Sequence, residues 1–366
     1  MIRPAGGLSE ARAGTLAFLA AAATLFFQVL AHRIVSAKLL NNYAFVVISL
    51  TMLGFAMAGV ALSFLREHAL SHLRDTAVVC ASGFAVFALL ATAALNGAET
   101  AAPYGLSTTA FALAFLRWLP FALLFAVPFA FLGFLLGALL ASPDLLTRRV
   151  YFLDLLGSAV GAFLVLPVLS ALGVESALLL LAAGLLLFTS ALARPTSGLT
   201  WVVLGLAGAA VLGGFVLKDR IFAIHYPDGS ILAQTRDPRT GVVLEHVAWD
   251  PLARIEVSRI PPPNPSDPLF LPLLGTNRDF ISRFSLMLTQ NNYAYTFAVR
   301  YDGNPASLQG IEETLYAAAY PPLSVEKPRV IAIGVGGGFD ILTALRFGAS
   351  DITGVEVNGA ILGVLQ

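Results

Sequence analysis

Charge is what this sequence has least of. Only 12% of its 366 residues are charged, 57% are hydrophobic, and the mean hydropathy is +0.80; soluble domains carry about 25% charged residues. A soluble globular chain is excluded, and the partner implied is a lipid bilayer. The 22 basic and 22 acidic residues cancel, so no basic face selects nucleic acid. Cysteine is almost missing. Cys80 alone, inside an apolar run, excludes an intrachain disulfide and a thiolate metal cluster, and it reads as a small packing residue. No metal site is expected.

What is there in quantity is long apolar stretches. Residues 14 to 31, 43 to 65, 76 to 96, 119 to 141, 151 to 173, 175 to 193 and 199 to 217 form seven runs, each close to or above the roughly 20 residues that cross a hydrocarbon core. Residues 1–217 therefore read as a transmembrane helical domain. Residues 104 to 118, interrupted by Arg117 and Trp118, read as an interfacial helix ending before Pro120. Val35-Ser36-Ala37 resembles a signal cleavage site, but His32 and Arg33 precede it where a signal peptide has none, and with Gln28 they read as interfacial anchors. Gly157 with Gly161, and Gly54 with Ala58, place small residues one turn apart for close helix packing. Asp154 is the candidate polar site within the membrane. A carboxylate there serves proton or substrate handling, or it is a snorkelling or Arg148-paired group near a helix end.

After Leu217 the composition changes, and residues 218–325 read as a soluble β-rich segment. Val242 to Glu245 and Ala253 to Val257 are short strands about a Trp249-Asp250-Pro251 turn. Pro261 to Pro272 is a proline-rich connector, and Tyr295 to Tyr301 alternates as a strand ending on the turn Asp302-Gly303. Glu312-Glu313-x-x-Tyr316 reads as a solvated helical face, or as a segment in which either carboxylate grips an amine.

Residues 326–366 open an α/β nucleotide-binding domain of Rossmann-like type. Val330 to Ile333 is a buried strand, Gly334, Gly336, Gly337 and Gly338 make a tight turn, and a helix runs through Ile341, Ala344, Leu345 and Phe347 to a stop at Gly348. A second strand, Ile352 to Val357, carries Glu356 about 20 positions after the turn, where a carboxylate takes both hydroxyls of a nucleotide ribose. Phe339 stands where the dinucleotide fingerprint has a small residue, which disfavours a pyrophosphate and suits adenosine bound without one.

The Gly334-x-Gly336-x-Gly338 turn with Glu356 resembles the cofactor site of class I S-adenosylmethionine folds, and the form without an acidic residue before the first glycine resembles the spermidine synthase (polyamine aminopropyltransferase) branch. Ala332 lies where many methyltransferases carry aspartate. The Asp154-to-Gly161 pattern and the Asn42-to-Gly54 entry of the second run resemble the membrane domain fused to such modules in bacteria. The resemblance implies a multi-pass inner-membrane protein that binds S-adenosylmethionine or its decarboxylated form through Glu356. It implies aminopropyl transfer to a putrescine-like polyamine, with Asp302, Glu313 and Tyr316 beside the substrate. It also implies a catalytic aspartate after a later strand, beyond Gln366, so the chain is expected to be an amino-terminal portion of a longer protein. A methyltransferase, or a transporter or scaffold with a nucleotide-sensing module, is the alternative.

Sidedness divides two arguments. Arg3, Arg12, Arg66, Arg74, Arg148, Arg149 and Arg194 share the side of the amino terminus, against Arg33 and Lys38 opposite, which places the amino terminus in the cytoplasm. Seven crossings then put Lys218 onward outside, whereas cofactor supply favours a cytoplasmic soluble segment. Both hold if residues 104 to 141 make two short passes around Pro120, or if the seventh run lies along the interface.

Overall fold

The computed structural model describes residues 8–39, 41–98, 107–263, 275–292, 294–320 and 327–365. The chain divides into two compact units, Met1–Asp228 and Gly229–Gln366.

The first unit is a bundle of helices α1 (Glu10–Lys38), α2 (Asn41–Ser71), α3 (Leu73–Gly97), α4 (Thr108–Leu140), α5 (Thr147–Ala193) and α6 (Gly198–Ile221). Among the described residues, six helices are long and apolar enough to cross a membrane. With no water in a bilayer core, helices satisfy every backbone group internally. Their ends are marked locally. Ser9 accepts the Arg12 N–H to cap α1 and Ser107 accepts the Ala110 N–H to cap α4, while Glu10 and Lys38 complement the two ends of the α1 dipole. Phe27 on α1 lies 5.4 Å from Phe84 of α3 and 5.3 Å from Phe129 of α4, tying three helices at one ring.

Close contacts fix the direction of each helix. An added Cβ at Gly157 would meet Phe18 and one at Gly161 would meet Ala22, so α1 and the first arm of α5 run parallel. Gly54 faces Ala126 and Gly137 faces Leu62, so α2 and α4 run parallel. Lys38 reaches Leu95, and Asn96 reaches Phe222, so α1, α3 and α6 share a direction. One end of the bundle thus gathers Glu10, Ser71, Ala141, Arg149 and Ala193; the other gathers Lys38, Ala98 and Phe222. Gly173, with φ +75° and ψ 169°, breaks α5. Because Arg149 pairs with Glu10 and Arg74 binds the carbonyl of Ala193, both ends of α5 are at the first end, and the helix doubles back at Gly173.

One expectation is corrected here. No helix ends before Pro120: α4 runs unbroken through Pro120 and Pro128, because a proline in a membrane helix forfeits a hydrogen bond that neighbouring groups replace. Helix α6 stands beside α3 from Leu89 to Asn96. The chain therefore leaves the bundle at the end opposite Glu10.

The second unit contains a small antiparallel sheet, order β1-β2-β3-β4, from Val243–Trp249, Arg254–Arg259, Phe284–Gln290 and Ala294–Val299. Alternation gives the sheet two buried faces. Phe284, Met287, Phe297 and Val299 pack with Phe280, Leu308, Ile311 and Phe339, and the opposite face joins Ile255, Val257 and Leu288 to Ile361. Buried Glu256 on β2 is held between Arg236 and Arg254, which supplies the counter-charge its desolvation demands. Strand β5 (Arg329–Ile333), helix α7 (Phe339–Arg346) and strand β6 (Asp351–Val355) form a βαβ unit with β5 and β6 paired in parallel, followed by α8 (Gly359–Leu365). The parallel sheet has two strands, so a Rossmann fold is not shown. Strand β3 had no counterpart in the sequence reading, and most of the Pro261 to Pro272 connector lies outside the described residues.

Candidate functional site

The glycine turn is shaped by two different demands. Gly334, Gly336 and Gly338 have φ of +80°, +52° and +84°, a region L side chains rarely adopt. Gly337 is needed for space, since a Cβ there would lie 1.8 Å from the Phe297 carbonyl oxygen on β4. The turn is tied to β6 by the Gly334 N–H, which donates to the Val355 carbonyl at 2.8 Å, and closes on itself as the Gly338 N–H donates to the Val335 carbonyl at 2.8 Å.

Glu356 follows β6 directly and lies across the turn. Its Oε2 accepts the Gly336 N–H at 3.0 Å, and its Oε1 accepts the Asn358 N–H at 2.9 Å. A carboxylate offers about four lone-pair sites, so each oxygen keeps acceptor capacity, and the half-buried group is accessible. The spacing of about 20 residues thus brings Gly336 and Glu356 into contact.

Phe339, the residue out of place in a dinucleotide fingerprint, is a core residue. It is buried, stacks on Tyr316 with centroids 4.7 Å apart, and meets Phe284 at 5.4 Å and Phe280 at 6.1 Å. A small side chain here would leave the βαβ unit without its anchor on the antiparallel sheet. Asp340, next in the first turn of α7, is half-buried, and that burial pushes its carboxyl above the usual range. Burial and then the Asp340 charge raise the Tyr316 phenol in turn.

The expected substrate residues are committed to local structure. Asp302 accepts the Ser307 hydroxyl at 2.7 Å and the Asn304 N–H at 3.0 Å, and these bonds hold its carboxyl below the ordinary value. Glu313 accepts the Thr276 N–H at 3.0 Å and the Thr276 hydroxyl at 2.8 Å, which lower it likewise. Glu312 accepts the Gly310 N–H and binds Arg346 of α7. The segment is a pair of 3-10 turns, Ile311–Glu313 and Leu315–Ala317, and no single helical face carries Glu313 and Tyr316. Tyr316 lies against Phe339; Asp302 and Glu313 are held by other partners.

In the bundle, Asp154 is half-buried on α5. The ion pair at this end joins Arg149 to Glu10 across 3.5 Å, and among the described residues no ion pair joins Asp154 to Arg148. Three groups that sequence reading missed carry the polar work. Lys38, counted as a loop charge, is fully buried and donates to the carbonyls of Leu95, Asn96 and Ala98, capping α3 from another helix. Arg74 donates to the carbonyls of Ala193 and Arg194 at the end of α5. Asp75, its neighbour, accepts the N–H groups of Thr196 at 2.9 Å and Ser197 at 3.1 Å at the start of α6. A cation on the carbonyl end and an anion on the amide end complement both dipoles of one turn. A charge just outside an apolar run was the only available signal, and it does not name a partner. Among the described residues, no group of three His, Cys, Asp or Glu side chains converges as a metal site.

The chain matches no protein-family model, no curated protein and no solved structure.

Proposed function

We propose that this chain belongs to a membrane-anchored, spermidine synthase-like protein, that its second unit binds an S-adenosyl-type cofactor, and that the reaction served is aminopropyl transfer to a polyamine. One observation carries the reading: the Glu356 carboxylate is held over a glycine turn by the Gly336 N–H with acceptor capacity to spare. Two ribose hydroxyls are the donors such a carboxylate takes. The turn fits a nucleoside without a pyrophosphate, because Phe339 fills the position that would admit one.

The cofactor supplies a carbon made electrophilic by its sulfonium. The protein's share is to fix the ribose through Glu356, to exclude water, and to accept the proton of the attacking amine. Asp302 and Glu313 need release from their present hydrogen bonds before either grips an ammonium group. Calorimetry with S-adenosylmethionine and with its decarboxylated form tests the assignment. Glu356→Ala should weaken binding by about 2 to 4 kcal/mol, the worth of two charge-assisted hydrogen bonds. Unchanged affinity refutes it, and preference for the decarboxylated form separates aminopropyl transfer from methyl transfer.

A second reading, a scaffold or transporter with a nucleoside-sensing module, has its own observation in the exit of the chain opposite Glu10. The Glu10 end carries Arg12, Arg66, Arg74, Arg148, Arg149 and Arg194; Arg33, Lys38, Arg117, Lys218 and Arg220 fall toward the other. If the richer end is cytoplasmic, the second unit is outside, away from the cofactor's source. Impermeant labelling in intact cells of exposed Ser71→Cys and Gln234→Cys, each in a Cys80→Ala background, decides. Labelling at position 71 with protection at 234 supports the transferase, and the reverse supports the sensor.

A further inference from the structure

Consecutive helices α2 and α3 turn sharply at His72 yet part company above it, leaving a cleft of about 800 Å³ in the membrane bundle. Small residues make the room: Ala58 and Ala69 on α2 and Cys80 on α3 are buried in its walls, and Ala130 and Phe131 of α4 form its floor. Leu65, Val79 and Leu199 at its rim are exposed, so the cleft opens sideways, where a membrane-spanning bundle meets hydrocarbon. Its volume falls within the range of small-molecule sites, about 300 to 1,000 Å³.

The cleft is apolar along its length and polar at one end only. There His68 and His72 stack with centroids 4.6 Å apart, both exposed, and Asp75, Thr76, Ser197 and Thr200 complete the lining. The Asp75 carboxylate does not dominate this end, because it is spent on the amides that begin α6. Arg66, Arg74 and Arg194 belong to the same end of the bundle, with Arg66 exposed. An occupant must therefore be a chain of hydrocarbon with an anionic, hydrogen-bond-accepting head.

We infer that this cleft is a binding site for one anionic phospholipid, its acyl chain between α2 and α3 and its phosphate at His68 and His72. A cleft open to lipid tails fills with one, and what selects an anionic lipid is the headgroup end: two exposed imidazoles able to donate, at the end of the bundle that also carries the exposed Arg66. The site is independent of the glycine turn and does not depend on what that turn binds.

Native mass spectrometry of the full chain, released from nanodiscs of phosphatidylglycerol or of phosphatidylcholine with the same acyl chains, tests this. The wild type should retain one phosphatidylglycerol through delipidation, with about a tenfold preference over phosphatidylcholine, the discrimination a single charged contact supplies. Ala61→Phe, which fills the cleft, should abolish retention, whereas Val60→Phe on the exposed side of the same turn should not. Should Ala61→Phe fail to fold, the exposed pair His68→Ala and His72→Ala carries the test and should erase the preference for phosphatidylglycerol. Equal retention of the two lipids by the wild type, retention undiminished by a folded Ala61→Phe, or an undiminished preference in the histidine pair overturns the proposal.

Discussion

Replacing Gly157 or Gly161 by alanine adds only one methyl group and should nonetheless destabilise this bundle. A Cβ at either position lies 2.2 Å from a backbone carbonyl oxygen of α1, that of Phe18 or of Ala22. Non-bonded heavy atoms settle near 3.5 Å, so α5 must withdraw by about 1 Å along a contact that has no flexible side chain to yield. Overpacking of this kind costs about 1 to 3 kcal/mol, offset by the roughly 1 kcal/mol that alanine gains over glycine in a helix, leaving about 0 to 2 kcal/mol net. Because both glycines touch the same helix one turn apart, the first substitution moves α5 away and relieves the second. The double variant should therefore cost clearly less than the sum of the singles. Gly14→Ala, which meets only the Leu153 side chain, should be milder, and Gly184→Ala, with nothing within 4 Å, should be neutral or stabilising. The measurement is reversible unfolding in mixed micelles by sodium dodecyl sulfate titration, read by far-UV circular dichroism. Costs at 157 and 161 that match Gly184→Ala, or that add in the double variant, refute the argument.

Lys38→Met should destabilise the bundle by about 2 kcal/mol in the same titration, because the carbonyls at the end of α3 lose a charged donor. Asp75→Ala strips two amides of their acceptor at the start of α6 and should cost about 1 to 2 kcal/mol, the worth of a helix cap. Asp340→Asn should raise the melting temperature at pH 7 and leave it unchanged well below pH 4. The folded carboxyl is raised by burial, so its contribution is fully present below the unfolded value near 3.9 and is lost as pH rises through the folded value. A thermal shift equal at both pH values would contradict that sign.

The sequence by itself determined whatever depends on neighbours along the chain. Spanning runs are local, because each crossing needs about 20 apolar residues in a row, and the break after residue 173 was visible as the gap between two runs, where the structure has Gly173 at positive φ. The glycine turn and Glu356 were legible for the same reason: strand, turn, helix and strand are consecutive, and parallel pairing of Val330 with Ile352 leaves the carboxylate little choice of place. What lay between distant segments had to come from the tertiary structure. No pattern in the sequence says that Lys38 ends under Ala98, that Asp75 caps a helix beginning more than a hundred residues later, or that Glu313 is held by Thr276. Pro120 read as a stop because a lone helix is weakened there, and the bundle carries α4 through it. Phe339 looked like a defect in a ligand motif until its neighbours Tyr316, Phe280 and Phe284 were in place. A side chain's partner is chosen by packing, and only the folded chain brings Phe339 to the aromatic face that explains it.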